Sequence, residues 1–319
     1  MMKFGFYLPN NGPAAQPDAL AEIAKQGDEL GFHSMVVGDH VLVPKKIDSP
    51  YPYTVGGEFP GGETGEYLEQ LTLLTFLAGI TQRIRLVPSV MIVPYRNPLL
   101  AAKMLATLDV LSKGRLTLGV GVGWMEEEFV ALDTPPFAER GEVTNEYLQI
   151  FKELWTSDNP SFDGKYYQFS GIDFLPRPVQ KPHPPIWVGG QSRRAMRRAA
   201  QLGNGWHPVG AIPAAPLEPE DLAGDLVSLN RYAEAAGRDP GELDVAIKAP
   251  LYDSSLPSSG SPTNRDRRRF SGQPEQILQD IQTYAEVGVT HTIFDIRSSD
   301  LNQTTDRLAW FAEEIITKG

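Results

Sequence analysis

A short apolar run ending in a turn, an amphipathic stretch closed by glycine, then another short apolar run: this unit recurs along the chain and constrains its fold more than any other feature. Residues 4–8 are apolar and aromatic and stop at Pro9, Asn10, Asn11 and Gly12, the pattern of a buried strand ending in a turn. Residues 17–30 then place Leu20, Ile23, Ala24 and Leu30 at helical spacing, and Gly31 supplies the stop. Residues 34–37 return to strand before Gly38, Asp39 and His40. The same grammar predicts strands at 84–90, 116–120, 186–188 and 291–296, weaker ones near 205–208 and 243–248, and helices at 99–111, 144–155, 193–202 and 274–287. Alternating strands and helices imply a parallel sheet, and at 319 residues the expectation is a (β/α)8 TIM barrel with residues 1–319 as one domain.

Three connections exceed what a minimal barrel needs: 43–66, 158–185 and 251–270. Such insertions are expected at the carboxyl-terminal face, capping the mouth, against the plainer reading of ordinary loop elaboration. Within the second, 166–169 and 172–174 read as a small hairpin, and the glycine-rich stretch 56–65 reads as ordering only around a ligand.

With 29 basic and 40 acidic residues the net charge is −11, which disfavours nucleic acid or an anionic membrane surface as partner. There is no cysteine, so disulfides, thiolate metal sites and cysteine nucleophiles are excluded. The five histidines show no HxH or HExxH spacing, so no metal site is expected. Residues 1–10 lack the charged and long apolar regions of a signal peptide, and no run reaches the length of a membrane span. The expected compartment is the cytoplasm.

The candidate site residues sit where the predicted strands end. His40 closes strand two, where barrels carry catalytic groups, and a histidine's ordinary pKa suits proton exchange; the plainer reading is a structural hydrogen-bonder. Ser89 and Val90 end strand three. Gly119, Gly121 and Gly123 alternate through the end of strand four around Val122, removing side chains so that a planar ring can approach the backbone. Gly189, Gly190, Gln191 and Ser192 lead from strand five into a helix, and bare N–H groups at a helix start form an anion site for a phosphate. Trp206 and His207 end strand six, for cofactor contact or for packing. Glu126, Glu127 and Glu128 read as caps favoured by the helix dipole rather than as a catalytic acid. The arginines at 265, 267, 268 and 269 read as a solvated loop, or as a contact for an acidic ligand.

Val36-Val37-Gly38-Asp39-His40, Tyr95-Arg96-Asn97-Pro98 and Gly119-Val120-Gly121-Val122-Gly123-Trp124 occur in a fixed order. With LATLDVLSKGR at 105–115, PPIWVGG at 184–190, GNGWHP at 203–208 and the unit at 272–295, that order resembles the luciferase-like superfamily. The wording is most similar to its branch that uses coenzyme F420, a deazaflavin that carries hydride; FMN-dependent monooxygenases share the barrel and are the alternative. The resemblance implies an oxidoreductase acting on a small organic substrate, commonly a homodimer through barrel helices, with a non-catalytic flavin-binding protein as a further alternative. It implies that Asp39 and His40 form a pair beside the cofactor, that Ser89–Val90 is a non-proline cis peptide against the ring, and that Gly121, Val122 and Gly123 lie near it. Trp124 stands where the family's sugar-phosphate dehydrogenases carry a glutamate acid, which puts that substrate in doubt.

Overall fold

A computed structural model describes residues 2–62, 65–251 and 267–318. Eight strands form the barrel: β1 (Lys3–Tyr7), β2 (Ser34–Val37), β3 (Arg85–Pro88), β4 (Leu118–Gly121), β5 (Ile186–Gly189), β6 (Gly205–His207), β7 (Asp244–Leu251) and β8 (His291–Asp295). Every pairing among them is parallel, running β3-β2-β1-β8-β7-β6-β5-β4. A parallel bridge between Leu86 and Leu116 closes the ring, and a two-residue strand, Met91–Ile92, pairs with β4 beyond the end of β3. This is the expected TIM barrel.

Between the strands lie α1 (Pro17–Glu29), α2 (Gln70–Ile80), α3 (Pro98–Leu111), the short α4 (Glu126–Ala131), α5 (Arg140–Thr156), α6 (Arg193–Leu202), α7 (Pro219–Ala235), α8 (Pro274–Glu286) and α9 (Leu301–Phe311). Their starts are chemically marked. Proline occupies the first turn of α1, α3, α7 and α8, where its missing N–H costs nothing, and Asn97, Ser192 and Asp300 accept backbone N–H groups at the starts of α3, α6 and α9. Periodicity did not single out α2, α7 or α9. In α2, QLTLLTFLAGI is apolar nearly all round, so it lacks a stripe to detect. Among the described residues, no helix is long and apolar enough to cross a membrane.

Strand alternation sorts the core. Phe4 and Phe6 of β1 join the large apolar layer between strands and helices, whereas Tyr7 turns inward to meet Val36, Val87, Trp187, Ala246 and Ile293 inside the barrel.

The 158–185 connection does not cap the mouth. It joins the end of α5 to the start of β5, so it begins on the amino-terminal side and climbs the outer flank of α5, where the backbone of Lys165, Tyr166 and Tyr167 donates to Glu146. Its hairpin pairs Phe162–Asp163 with Gln168–Phe169, not the two segments the sequence suggested. Residues 63 and 64 of the glycine-rich stretch, Arg265 of the arginine run and residues 252–266 of the third insertion lie outside the described residues.

Candidate active site

The carboxyl ends of the strands open into a cavity of about 1320 Å³, larger than the pocket of a typical small ligand and roomy enough for a cofactor with its substrate. Tyr7, His40, Ser89, Gly121, Gly189, His207, Lys248 and Asp295 border it from strands all round the barrel, and residues 48–61 roof one side.

His40 follows β2, and its Nδ1 lies 2.9 Å from Oε2 of Glu128, a fully buried carboxylate on α4. The same glutamate accepts N–H groups from Val41 at 2.7 Å and Leu42 at 3.3 Å, and the Tyr95 hydroxyl at 3.0 Å. Burial, and next the charge of Glu128, push the Tyr95 phenol up, so it remains a donor. Donors converge on Glu128, so His40 carries its hydrogen on Nδ1, and Nε2 has no hydrogen-bond partner among the described residues. An imidazole fixed through Nδ1, with an unpartnered Nε2 beside a cavity, is the geometry of an acid–base group.

All three acids of the 126–128 run lie in the first turn of α4, as expected, and two of them also hold partners outside the helix. Glu128 is a side-chain partner of His40, and Glu127 accepts from the backbone N–H groups of Asp48 and Ser49 at 2.6 and 2.9 Å. A signal for Glu128 was present: Met125, Glu128, Phe129 and Leu132 share one face at helical spacing, and Met125 and Phe129 are buried.

Asp39 borders the cavity, but its carboxylate is taken. Both oxygens accept from Arg96 at 2.8 Å, and one also accepts from the Ile92 N–H at 2.9 Å. Glu69 holds the same guanidinium at 2.6 Å. Asp39 and His40 both border the cavity, but their side chains point to separate partners, and Asp39 ties the end of β2 to the segment after β3.

The Ser89–Val90 peptide is cis. Ser89 is buried in a chain of hydrogen bonds. His207 donates from Nδ1 to the Ala246 carbonyl at 2.6 Å, because a carbonyl only accepts, so its Nε2 accepts from the Ser89 hydroxyl at 2.8 Å. The Tyr7 hydroxyl lies 2.9 Å from Ser89 Oγ and 3.0 Å from its carbonyl.

Burial lowers His207 to about 4, and burial with neighbouring positive groups lowers His33 to about 4 and His291 to about 2. Folding therefore favours the neutral form of all three, and the unfolded chain binds more protons below its ordinary histidine pKa of about 6.5. The sign is fixed: stability is full above that pH and falls as pH drops toward 4. At pH 5 we expect a loss of about 2 kcal/mol for each of the fully buried His207 and His291. Urea unfolding at pH 7 and pH 5 checks this, and equal midpoints would contradict it.

The alternating glycines accommodate protein as much as ligand. A side chain on Gly121 would strike Val90, one on Gly189 would come within 2.9 Å of Val90, and one on Gly123 would meet Phe129 at 2.6 Å. Val122, Gly121 and Gly123 still border the cavity, as do Val90, Gly189 and Gly190.

The turn after β5 differs from the expectation in detail. Ser192 caps α6 by accepting from the Ala195 N–H, Gln191 donates to the Val209 carbonyl at 2.5 Å, and neither borders the cavity. Trp206 is fully buried and donates to the Gly190 carbonyl at 2.7 Å, so it props the turn from behind and cannot touch a ligand in the cavity. Arg140, which sequence reasoning missed, borders the cavity beside this turn. Among the residues that border the cavity, Gly190 and Arg140 are suited to a phosphate, and Val90 with Val122 offers an apolar wall suited to a flat ring. These residues fit a flavin or deazaflavin. Among the described residues no cluster of potential metal ligands occurs.

The family model described as luciferase-like monooxygenase matches residues 2–254. The chain belongs to that family. An uncharacterized protein of Mycobacterium tuberculosis is 32% identical to this luciferase-like chain over 314 residues, covering 97% of the chain and 98% of the relative. The FMNH(2)-dependent dimethylsulfone monooxygenase of Pseudomonas putida is 30% identical over 200 residues, 60% of the chain and 55% of the relative. The coenzyme F420-dependent tetrahydromethanopterin reductase of Methanopyrus kandleri shares the fold, with a TM-score of 0.77, 19% identity and 99% of each chain covered.

Proposed function

We propose that the chain is a coenzyme F420-dependent oxidoreductase that moves hydride to or from a small organic substrate. The observation that carries this reading is His40, fixed by buried Glu128 and bordering the cavity. When bound, a deazaflavin supplies or accepts the hydride. Transfer at a carbon–oxygen centre also requires a proton to be delivered or removed, and His40 Nε2 is the group held ready for it. Val90 and Val122 would flank the ring, Gly190 and Arg140 would hold the phosphate, and the roof formed by residues 48–61 would exclude water.

A second reading, an FMN-dependent monooxygenase, is favoured by the FMNH(2)-dependent relative. Tryptophan fluorescence separates the two, because Trp124 borders the cavity. Titration with coenzyme F420 and, separately, with FMN is expected to show selective quenching by F420. Preference for FMN would favour the second reading, and no response to either would overturn both.

A further inference from the structure

Two features of the cavity are unused by the chemistry above. One is an aromatic canopy. Phe59, Tyr67 and Trp124 surround the His40 ring at centroid distances of 4.9, 5.0 and 6.3 Å, and Tyr51 packs on Phe59 at 5.3 Å and on Trp124 at 5.1 Å. All of these rings border the cavity and are only partly buried. Their faces are available to an apolar or aromatic body placed next to the acid–base histidine.

The other is a cationic wall on β7 and the segment after β8, two strands round from the turn after β5. Lys248 on β7 puts its ammonium 3.9 Å from the centre of the Tyr7 ring, and the Arg297 guanidinium lies 4.9 Å from the same ring. Arg297 is neutralised by a forked pair with Asp295, at 2.7 and 2.6 Å. Lys248 makes no ion pair or hydrogen bond through its side chain among the described residues. Arg268, also bordering the cavity, donates to the Ala211 carbonyl and has no carboxylate partner among the described residues. A single carboxylate, Asp295, faces both Lys248 and Arg297, so this wall keeps a net positive charge inside a chain whose net charge is −11. The overall field repels an anion, so a local cation aimed into the cavity is what would admit one.

Resting on the oxidoreductase reading, we infer that the substrate is an organic acid whose apolar or aromatic body lies under the canopy beside His40 and whose carboxylate pairs with Lys248. The cofactor's own anionic end belongs to the turn after β5 and Arg140, two strands away from β7. The two cationic places therefore receive different molecules.

The test uses 3-phenylpropanoate and its neutral amide as probes, titrated calorimetrically into the full chain. The acid is expected to bind at least tenfold more tightly than the amide. Lys248→Met should reduce that preference to twofold or less, Lys248→Arg should retain it, and both variants should keep the melting temperature and cofactor affinity of the parent. Phe59→Ala should weaken acid and amide alike. Equal binding of acid and amide by the parent, failure of the acid to bind, or a preference that survives Lys248→Met would overturn the inference. Failure of both F420 and FMN to bind in the parallel fluorescence titration would instead remove the redox reading, so the two failures are distinguishable.

Discussion

His40→Ala is expected to lower turnover by about 10²- to 10⁴-fold, the range a positioned acid–base group contributes. Cofactor affinity should stay within about twofold, because the residues proposed to hold the cofactor, Val90, Val122, Gly190 and Arg140, are untouched. Added imidazole should restore part of the lost rate by occupying the space the side chain leaves, a recovery that a structural defect would not show. Glu128→Gln keeps the volume and removes the charge that orients the ring. Its effect should fall mainly on kcat, with KM little changed, since Glu128 is fully buried and reaches the substrate only through His40. Steady-state kinetics with the matched cofactor measure both. Unchanged turnover in His40→Ala would remove this residue from the chemistry.

Asp39→Ala should act in the opposite way, on the fold. It leaves the Arg96 guanidinium, whose side chain is only 9% exposed, with Glu69 alone, and it strips the acceptor from the Ile92 N–H. Breaking a buried pair by removing one partner costs about 3–5 kcal/mol. In a barrel of this size that is a fall of about 10 °C in the melting temperature. Replacing both members, Asp39→Leu with Arg96→Met, should recover part of the loss, because no buried charge is then stranded. A stable Asp39→Ala variant that had lost turnover would show instead that Asp39 serves the reaction directly.

The barrel was legible from sequence because strand ends, glycine stops and proline starts are local signals, and each of the eight strands overlapped its expected position. His40 was legible for the same reason: it closes a strand on the face where barrels work. Glu128 was harder. Adjacent acids look alike in a sequence, and only the helical face shared with Met125 and Phe129 separates the buried one from its neighbours. Trp206 illustrates the converse difficulty. Its place at a strand end was read correctly, but alternation and the Gly190 carbonyl direct its indole into the protein, which no local pattern reports. Asp39 and Arg96 are 57 positions apart, so their pairing could not be read from spacing. The route of the 158–185 connection depended on knowing which end of the barrel it leaves from.

Glu127 and Glu128 are consecutive, and each grips a different part of the loop after β2: one holds the backbone of Asp48 and Ser49, the other that of Val41 and Leu42 together with the His40 ring. Ser49 returns the contact by accepting the Glu126 N–H at 3.1 Å. The roof and the start of α4 are thereby fastened by one latch. The two glutamates therefore tie the placement of the His40 ring to the placement of the loop that follows it.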